Sequence, residues 1–147
     1  MPKHTRPRSA VARKRPTSRR LPTPVETLPA IEEDVRAHAL ARRAAELMVD
    51  KKALEVVLLD VRGMTSYADW FVLGSGESER QVSATAEYLR EKLHEEGFRL
   101  IGAEGFPTGH WVLLDYGEVV VHLFSTEVRA FYDLDGLWAD APKEKVA

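Results

Sequence analysis

The chain contains no cysteine. Disulfides, thiolate metal ligands and cysteine nucleophiles are therefore excluded, and a reducing compartment is the natural setting. No apolar run approaches the roughly 18 residues that a membrane-crossing helix needs. Acidic residues are missing from the first twenty positions, which hold eight Lys or Arg. The rest of the chain carries 13 basic and 23 acidic residues, a balance of −10, so the net charge of −2 conceals an acidic domain behind a basic arm. Proline is concentrated in the same arm, at Pro2, Pro7, Pro16, Pro22, Pro24 and Pro29.

What remains is ordinary for a globular domain: 147 residues, 44% hydrophobic and 30% charged, enough for one domain with its own core. Residues 1–30 lack apolar periodicity and read as a disordered arm. Its basic residues, among them Arg13, Lys14, Arg15, Arg19 and Arg20, suit contact with a phosphate backbone. An Arg-rich transit peptide is the competing reading, weakened because proline spoils an amphipathic helix. A passive solubilising tail is the third. Residues 31–142 form the domain, and 143–147 read as a polar tail.

The stretch His110–Phe124, HWVLLDYGEVVVHLF, reads as a β-hairpin. With a two-residue loop at Tyr116-Gly117, Asp115 faces Glu118, Leu113 faces Val120 and Trp111 faces His122. Strand alternation then puts Val112, Leu114, Val119, Val121 and Leu123 on one apolar face. The other, mixed face carries Trp111, Leu113, Asp115, Glu118, Val120, His122 and Phe124. The mixed face is either the half-wet back of the sheet or a docking surface. A cross-strand Trp–His pair contributes about 0.2–1 kcal/mol, whereas an interface tryptophan is worth about 2 kcal/mol or more on truncation.

Elsewhere, Glu32–Lys52 has helical spacing at Val35, Ala39, Leu40, Leu47 and Met48, with acids at its start. Ala53–Val61 and Asp69–Ser75 are buried strands. Ser78 caps a helix over Glu79–Glu96, whose stripe is Val82, Ala86, Leu89 and Leu93, and Gly97 stops it. Phe98–Ala103 is extended, and a loop containing Pro107 follows. Ser125 caps a short helix over Glu127–Phe131, and Tyr132, Leu134, Leu137 and Trp138 are expected to fold back onto the sheet. The order α-β-β-α-β-β-β-α predicts one α/β domain with a mixed sheet and helices mainly on one face, leaving one face of the hairpin open.

Chemistry is thinly signalled. Gly74-Ser75-Gly76, between a strand and a helix, could cradle phosphate through backbone N–H groups and open a nucleotidyltransferase-type site. It lacks the Lys-Ser/Thr of a P-loop. No Asp-x-Asp stands nearby to hold divalent metal for phosphoryl transfer, and Asp133-x-Asp135 follows a late helix. His4, His38, His94 and His110 show no metal-ligand spacing. No catalytic residue, metal ligand or cofactor site is expected. A metal-dependent nucleotidyltransferase remains the alternative to a binding protein.

Asp60-Val61-Arg62-Gly63-Met64-Thr65-Ser66, Ala68-Asp69-Trp70-Phe71-Val72, Trp111-Val112-Leu113-Leu114-Asp115-Tyr116-Gly117, Val119-Val120-Val121-His122 and Phe131-Tyr132 through Leu137-Trp138-Ala139-Asp140-Ala141-Pro142 occur in this order. Together with Ser75-Gly76, Ser78, Arg80-Gln81-Val82 and Glu104-Gly105, they resemble the ribosomal silencing factor (Iojap) family across most of Glu33–Pro142. The resemblance implies a nucleotidyltransferase-like fold without a catalytic role. It also implies binding to the large ribosomal subunit through its universal protein fourteen, which blocks joining of the small subunit and represses translation when nutrients are scarce. It implies that Trp111 belongs to the docking surface. Extension of that surface to Leu113, Asp115, Tyr116, Val120 and His122 follows from the shared face and the turn. The arm lies outside the resemblance, and its contact with rRNA is an expectation from charge alone. A monomer or homodimer in the bacterial cytoplasm is expected, with a mitochondrion or chloroplast as the alternative.

Overall fold

A computed structural model describes residues 28–105 and 108–147. The basic arm with Arg13, Lys14, Arg15, Arg19 and Arg20, and the loop proline Pro107, lie outside the described residues. The elements run α1 (Leu28–Asp50), β1 (Leu54–Asp60), β2 (Trp70–Gly76), α2 (Glu79–Glu95), β3 (Gly102–Glu104), β4 (Trp111–Asp115), β5 (Val119–Ser125), α3 (Thr126–Tyr132), α4 (Leu134–Leu137) and β6 (Lys143–Lys145). Among the described residues six strands form one sheet in the order β3-β4-β5-β2-β1-β6, in which the central pair β2–β5 is parallel and the other pairs are antiparallel. The mixed α/β sheet read from the sequence is therefore the observed architecture.

Both long helices pack on the same face of the sheet. The buried stripe of α1 is Ala37, Leu40, Ala41, Ala44, Ala45, Leu47 and Met48, while Val35 is 63% exposed. Of the expected stripe, Leu40, Leu47 and Met48 are buried while Val35 and Ala39 are exposed, and the alanines at 37, 41, 44 and 45 complete the buried face and let the helix approach the sheet closely. Gly74 of β2 shows how closely, since a Cβ there would lie 2.6 Å from Met48 Sδ. On α2, Val82, Ala86, Leu89 and Leu93 are fully buried as the 3.6-residue period predicts. Ser78 Oγ accepts the Gln81 N–H at 3.1 Å, which satisfies a group the helix start would leave orphaned, and Gln81 Oε1 reaches back past the cap to accept the Glu77 N–H at 2.8 Å.

Two further expectations change. The terminal segment is not a loose polar tail: Lys143–Lys145 pairs with β1 as the edge strand β6, and Glu144 is held by His38 and Arg42 of α1. Nor is one face of the hairpin open. Val57, Leu59, Phe71, Leu73, Leu113, Val120 and Phe124 form a second apolar cluster on the face away from α1 and α2, covered by Leu134 and Ala141 with Val128, Trp138 and Tyr67. A surface carrying two phenylalanines and five aliphatic side chains gains about 25 cal/mol for every Å² it removes from water. The short helices α3 and α4 supply that cover.

Candidate functional site

The hairpin β4–β5 has the two faces read from alternation but not the register. The observed pairs are Trp111–Phe124, Leu113–His122 and Asp115–Val120. The turn is centred one residue later than expected, on Gly117-Glu118, and the Tyr116 N–H donates to the Val119 carbonyl at 2.9 Å. Gly117, with φ 96°, takes the first central position, which in a II′ turn requires positive φ. Asp115 Oδ1 accepts the Gly117 N–H at 2.8 Å and fixes that choice. Moving the turn by one residue moves the pairing by two, so every side chain keeps its face.

Trp111 and His122 are consequently diagonal rather than opposite, and they still meet. Trp111 Nε1–H donates to His122 Nδ1 at 3.1 Å. The indole ring packs on Phe124 at 5.4 Å and on Tyr132 of α3 at 5.2 Å. His122 also stands edge-on to Phe71 at 5.0 Å. Trp111 is half-buried, whereas Leu113, Asp115, Val120 and His122 are buried. Tyr116 lies on the opposite face, in the cluster beneath α1 and α2. Its hydroxyl has no hydrogen-bond partner among the described residues, and burial pushes its pKa up to about 12. Of the six side chains expected to line a docking surface, the structure puts Trp111, Leu113, Asp115, Val120 and His122 on one face. Only Trp111 keeps appreciable exposure.

The cover over that face is pinned by Arg129 of α3, which is 7% exposed. Its Nη1 donates to Ser75 Oγ at 2.8 Å and to the Glu55 carbonyl at 2.8 Å. Its Nε and Nη2 grip the Asp135 carboxylate of α4 at 2.9 and 2.8 Å. One guanidinium thus ties α3 and α4 to β1 and β2, with the fork geometry that suits arginine to this task. The hydrogen bonds from Arg129 hold the Asp135 carboxyl below the usual carboxylate range. Glu55 sits at a bulge in β1 with φ 50°. Ser125 caps α3 by accepting the Val128 N–H at 3.1 Å, and Asp133, with φ 49°, ends α3 and accepts the Gly136 N–H at the start of α4. Asp133 and Asp135 are accounted for as a cap and an ion-pair partner.

Sequence reasoning missed Arg129, although a signal existed: it is the lone base between Ser125 and Pro142. Reasoning also expected Tyr132, Leu134, Leu137 and Trp138 to fold onto the sheet. Leu134 and Trp138 do, but Leu137 is 71% exposed, Phe131 79% and Tyr132 39%. Two short helices joined at a left-handed Asp133 cannot turn all their apolar residues inward.

The Gly74-Ser75-Gly76 segment is strand rather than an open turn. Met48 packs against Gly74, a Cβ on Gly76 would lie 3.0 Å from Val82 Cγ2, and the Ser75 hydroxyl is engaged by Arg129. Helix packing explains these glycines without a phosphate. Among the described residues no cluster of three or more His, Asp or Glu is arranged to hold a metal ion, and no helix is long and apolar enough to cross a membrane.

Comparison with known proteins matches this arrangement to one family. The family model described as "Ribosomal silencing factor during starvation" matches residues 34–147. The ribosomal silencing factor RsfS of Halalkalibacterium halodurans is 43% identical over 103 residues, covering 70% of this chain and 88% of that protein. The Bacillus subtilis factor of the same name is 38% identical, with 71% and 88% covered. The chloroplastic protein Iojap of Arabidopsis thaliana is 28% identical, over 76% of this chain and 46% of its own length. A crystal structure of a Chromobacterium violaceum protein superposes with a TM-score of 0.64 at 38% identity, covering 71% of this chain and 84% of that one. A Bacillus halodurans crystal structure gives 0.62 at 38% identity, covering 76% and 98%. A mixed sheet with two long helices on one face, an aromatic hairpin pinned under two short helices on the other, and these likenesses over most of its length together mean that the chain belongs to the ribosomal silencing factor family.

Proposed function

We propose that this chain docks on the free large ribosomal subunit, through its universal protein fourteen, and so prevents the small subunit from joining. The observation that carries this reading is Trp111. It is locked by His122 and Phe124, is half-buried, and borders the exposed aromatics of α3. A rigid, partly exposed tryptophan backed by a packed aromatic cluster is the kind of residue that anchors protein interfaces. Leu113, Val120 and His122 then act from beneath, by holding the indole in place. Asp115 acts further off, by fixing the turn and the hairpin register. Tyr116, on the far face, has no part in the contact.

No bond chemistry is required. A factor that binds only the separated large subunit competes for surface and draws subunits away from joining by mass action. At a free concentration one hundred times its Kd, it opposes joining by about 2.7 kcal/mol, roughly a hundredfold. A role in repression during nutrient scarcity follows the family description, and the protein acts as a regulator rather than an enzyme. A bacterial cytoplasmic setting fits the bacterial relatives. The basic arm, including Arg13, Lys14, Arg15, Arg19 and Arg20, reaches adjacent rRNA in this reading. Removing it should flatten the salt dependence of binding.

Co-sedimentation with isolated large subunits, small subunits and joined ribosomes tests the proposal. Wild type should pellet with large subunits alone. Trp111→Ala, folded by circular dichroism, should fail to pellet. Wild-type protein that pellets with no particle would overturn the reading.

A further inference from the structure

The face under α1 and α2 holds a polar group that the fold leaves unanswered. Tyr116 is 6% exposed there, and its hydroxyl, shut off from water, has no hydrogen-bond partner among the described residues. Burial keeps that phenol protonated at neutral pH, so an O–H donor goes unused as well as a lone pair. Buried hydroxyls are nearly always paired, and one left alone destabilises the fold until something pairs with it.

Two recesses meet at this side chain. The first, about 540 Å³, is walled by Arg36, Ala37 and Leu40 of α1. The second, about 760 Å³, is walled by Arg90 and His94 of α2. Tyr116 and residues 97–100 line both, so the segment after α2 is the partition between them. Phe98 and Leu100 pack on the core and make that wall apolar. Both volumes lie in the range of about 300–1,000 Å³ in which proteins hold small molecules. The rim carries both signs of charge. Arg36 and Arg99 are exposed and make no ion pair among the described residues, and Glu33 and Glu118 line the same recess.

We infer that the two recesses form one binding site for a small ring-bearing phosphate ester of mononucleotide size. Each part of such a molecule meets a matching group. The flat ring lies on Phe98 and Leu100, and a ring carbonyl or nitrogen accepts the Tyr116 O–H. The phosphate takes the guanidinium forks of Arg36 and Arg99. Ribose hydroxyls donate to Glu33 or Glu118. A free apolar amino acid would match both signs of charge but offers nothing to the phenol, and bare phosphate leaves the apolar wall empty. Residues 98–101 belong to no helix or strand, so the partition can shift to admit the ring to the hydroxyl. The site shares no residue with Gly74-Ser75-Gly76 or with Trp111.

Isothermal titration calorimetry on the full chain tests this with AMP and GMP. Adenosine and guanosine serve as ring-only probes and inorganic phosphate as the charge-only probe. At least one nucleotide should bind about tenfold more tightly than its nucleoside or phosphate. Tyr116→Phe removes only the unpaired hydroxyl, so its denaturation midpoint should be unchanged or higher, while nucleotide binding weakens about tenfold. Arg36→Gln with Arg99→Gln, both exposed, should bring nucleotide affinity down to that of the nucleoside. Arg80→Gln, an exposed arginine of α2 outside both recesses, should change nothing. No binding of either nucleotide would overturn the inference. Phosphate that binds as tightly as nucleotide would overturn it too. So would nucleotide binding that Tyr116→Phe leaves intact, which would place the ligand elsewhere.

Discussion

The two faces of the sheet are built on different terms. The face under α1 and α2 is mostly aliphatic, and its close approach comes from alanines on α1 and glycines in β2. The opposite face is aromatic, threaded with hydrogen bonds, and covered by two short helices that one arginine holds down. Apolar contact is non-directional and adds up with area, so the first face supplies stability. Hydrogen bonds and ring contacts are directional, so the second face supplies position. A docking surface needs position, and it is on the second face that the exposed aromatics lie.

Substitutions can break or sharpen this contrast. The largest effect is expected on the first face. Leu89→Ala removes a fully buried side chain and should cost about 3 kcal/mol in chemical denaturation. The part that still folds should bind large subunits normally.

Arg129→Met, on the second face, should cost somewhat less, about 2 kcal/mol, because Asp135 is partly exposed and recovers some solvation. Here the loss of binding should exceed the loss of folded protein, because α3 and α4 shift while the core remains. The ion pair also predicts a pH signature. The folded Asp135 carboxyl is held below its ordinary value of 3.8. Its contribution is therefore fully present above that pH and is lost as pH falls through the lower folded value. Wild type and Asp135→Asn should differ in urea midpoint at neutral pH and converge in strong acid. A gap that persists there would assign the effect to packing.

Ser125→Ala removes the α3 cap and should cost about 1 kcal/mol. Its effect on binding should be small if Arg129 alone holds α3 in place. The smallest stability effect is expected of Trp111→Phe, which keeps a ring against Tyr132 but loses the hydrogen bond to His122. A cost of about 0.5 kcal/mol is expected, the low end for a hydrogen bond because this one is only part-buried. Binding lost out of proportion would mean that indole orientation matters to the partner.

How legible each face was in the sequence follows the same division. The α2 stripe, both buried central strands, the caps at Ser78 and Ser125 and the sorting of hairpin residues into two faces were readable. Each depends on local periodicity or on a side chain reaching its own backbone. Family membership was readable from the ordered motifs. The turn position was not, because Asp115 decides it through a single hydrogen bond to Gly117 that competes with an equally plausible loop one residue earlier. The cover over the second face was not readable either. Phe131 and Leu134 look alike in sequence, and only the left-handed turn at Asp133 and the reach of Arg129 to Ser75, 54 positions earlier, determine which one is buried. In α1 the larger buried residues Leu40, Leu47 and Met48 were readable, but the alanines at 37, 41, 44 and 45 were not, because an alanine carries little periodic signal of its own.

The acid-only surface between Ser125 and Pro142 also governs how this protein can be caught with its partner. That stretch contains no lysine, so reagents that couple amine to amine reach a partner seated there only from flanking lysines such as Lys143. Carbodiimide coupling, which joins a carboxylate directly to a lysine, should instead link Glu127 or Asp140 to any lysine of a partner seated there. The linked peptide would identify the neighbour by its mass.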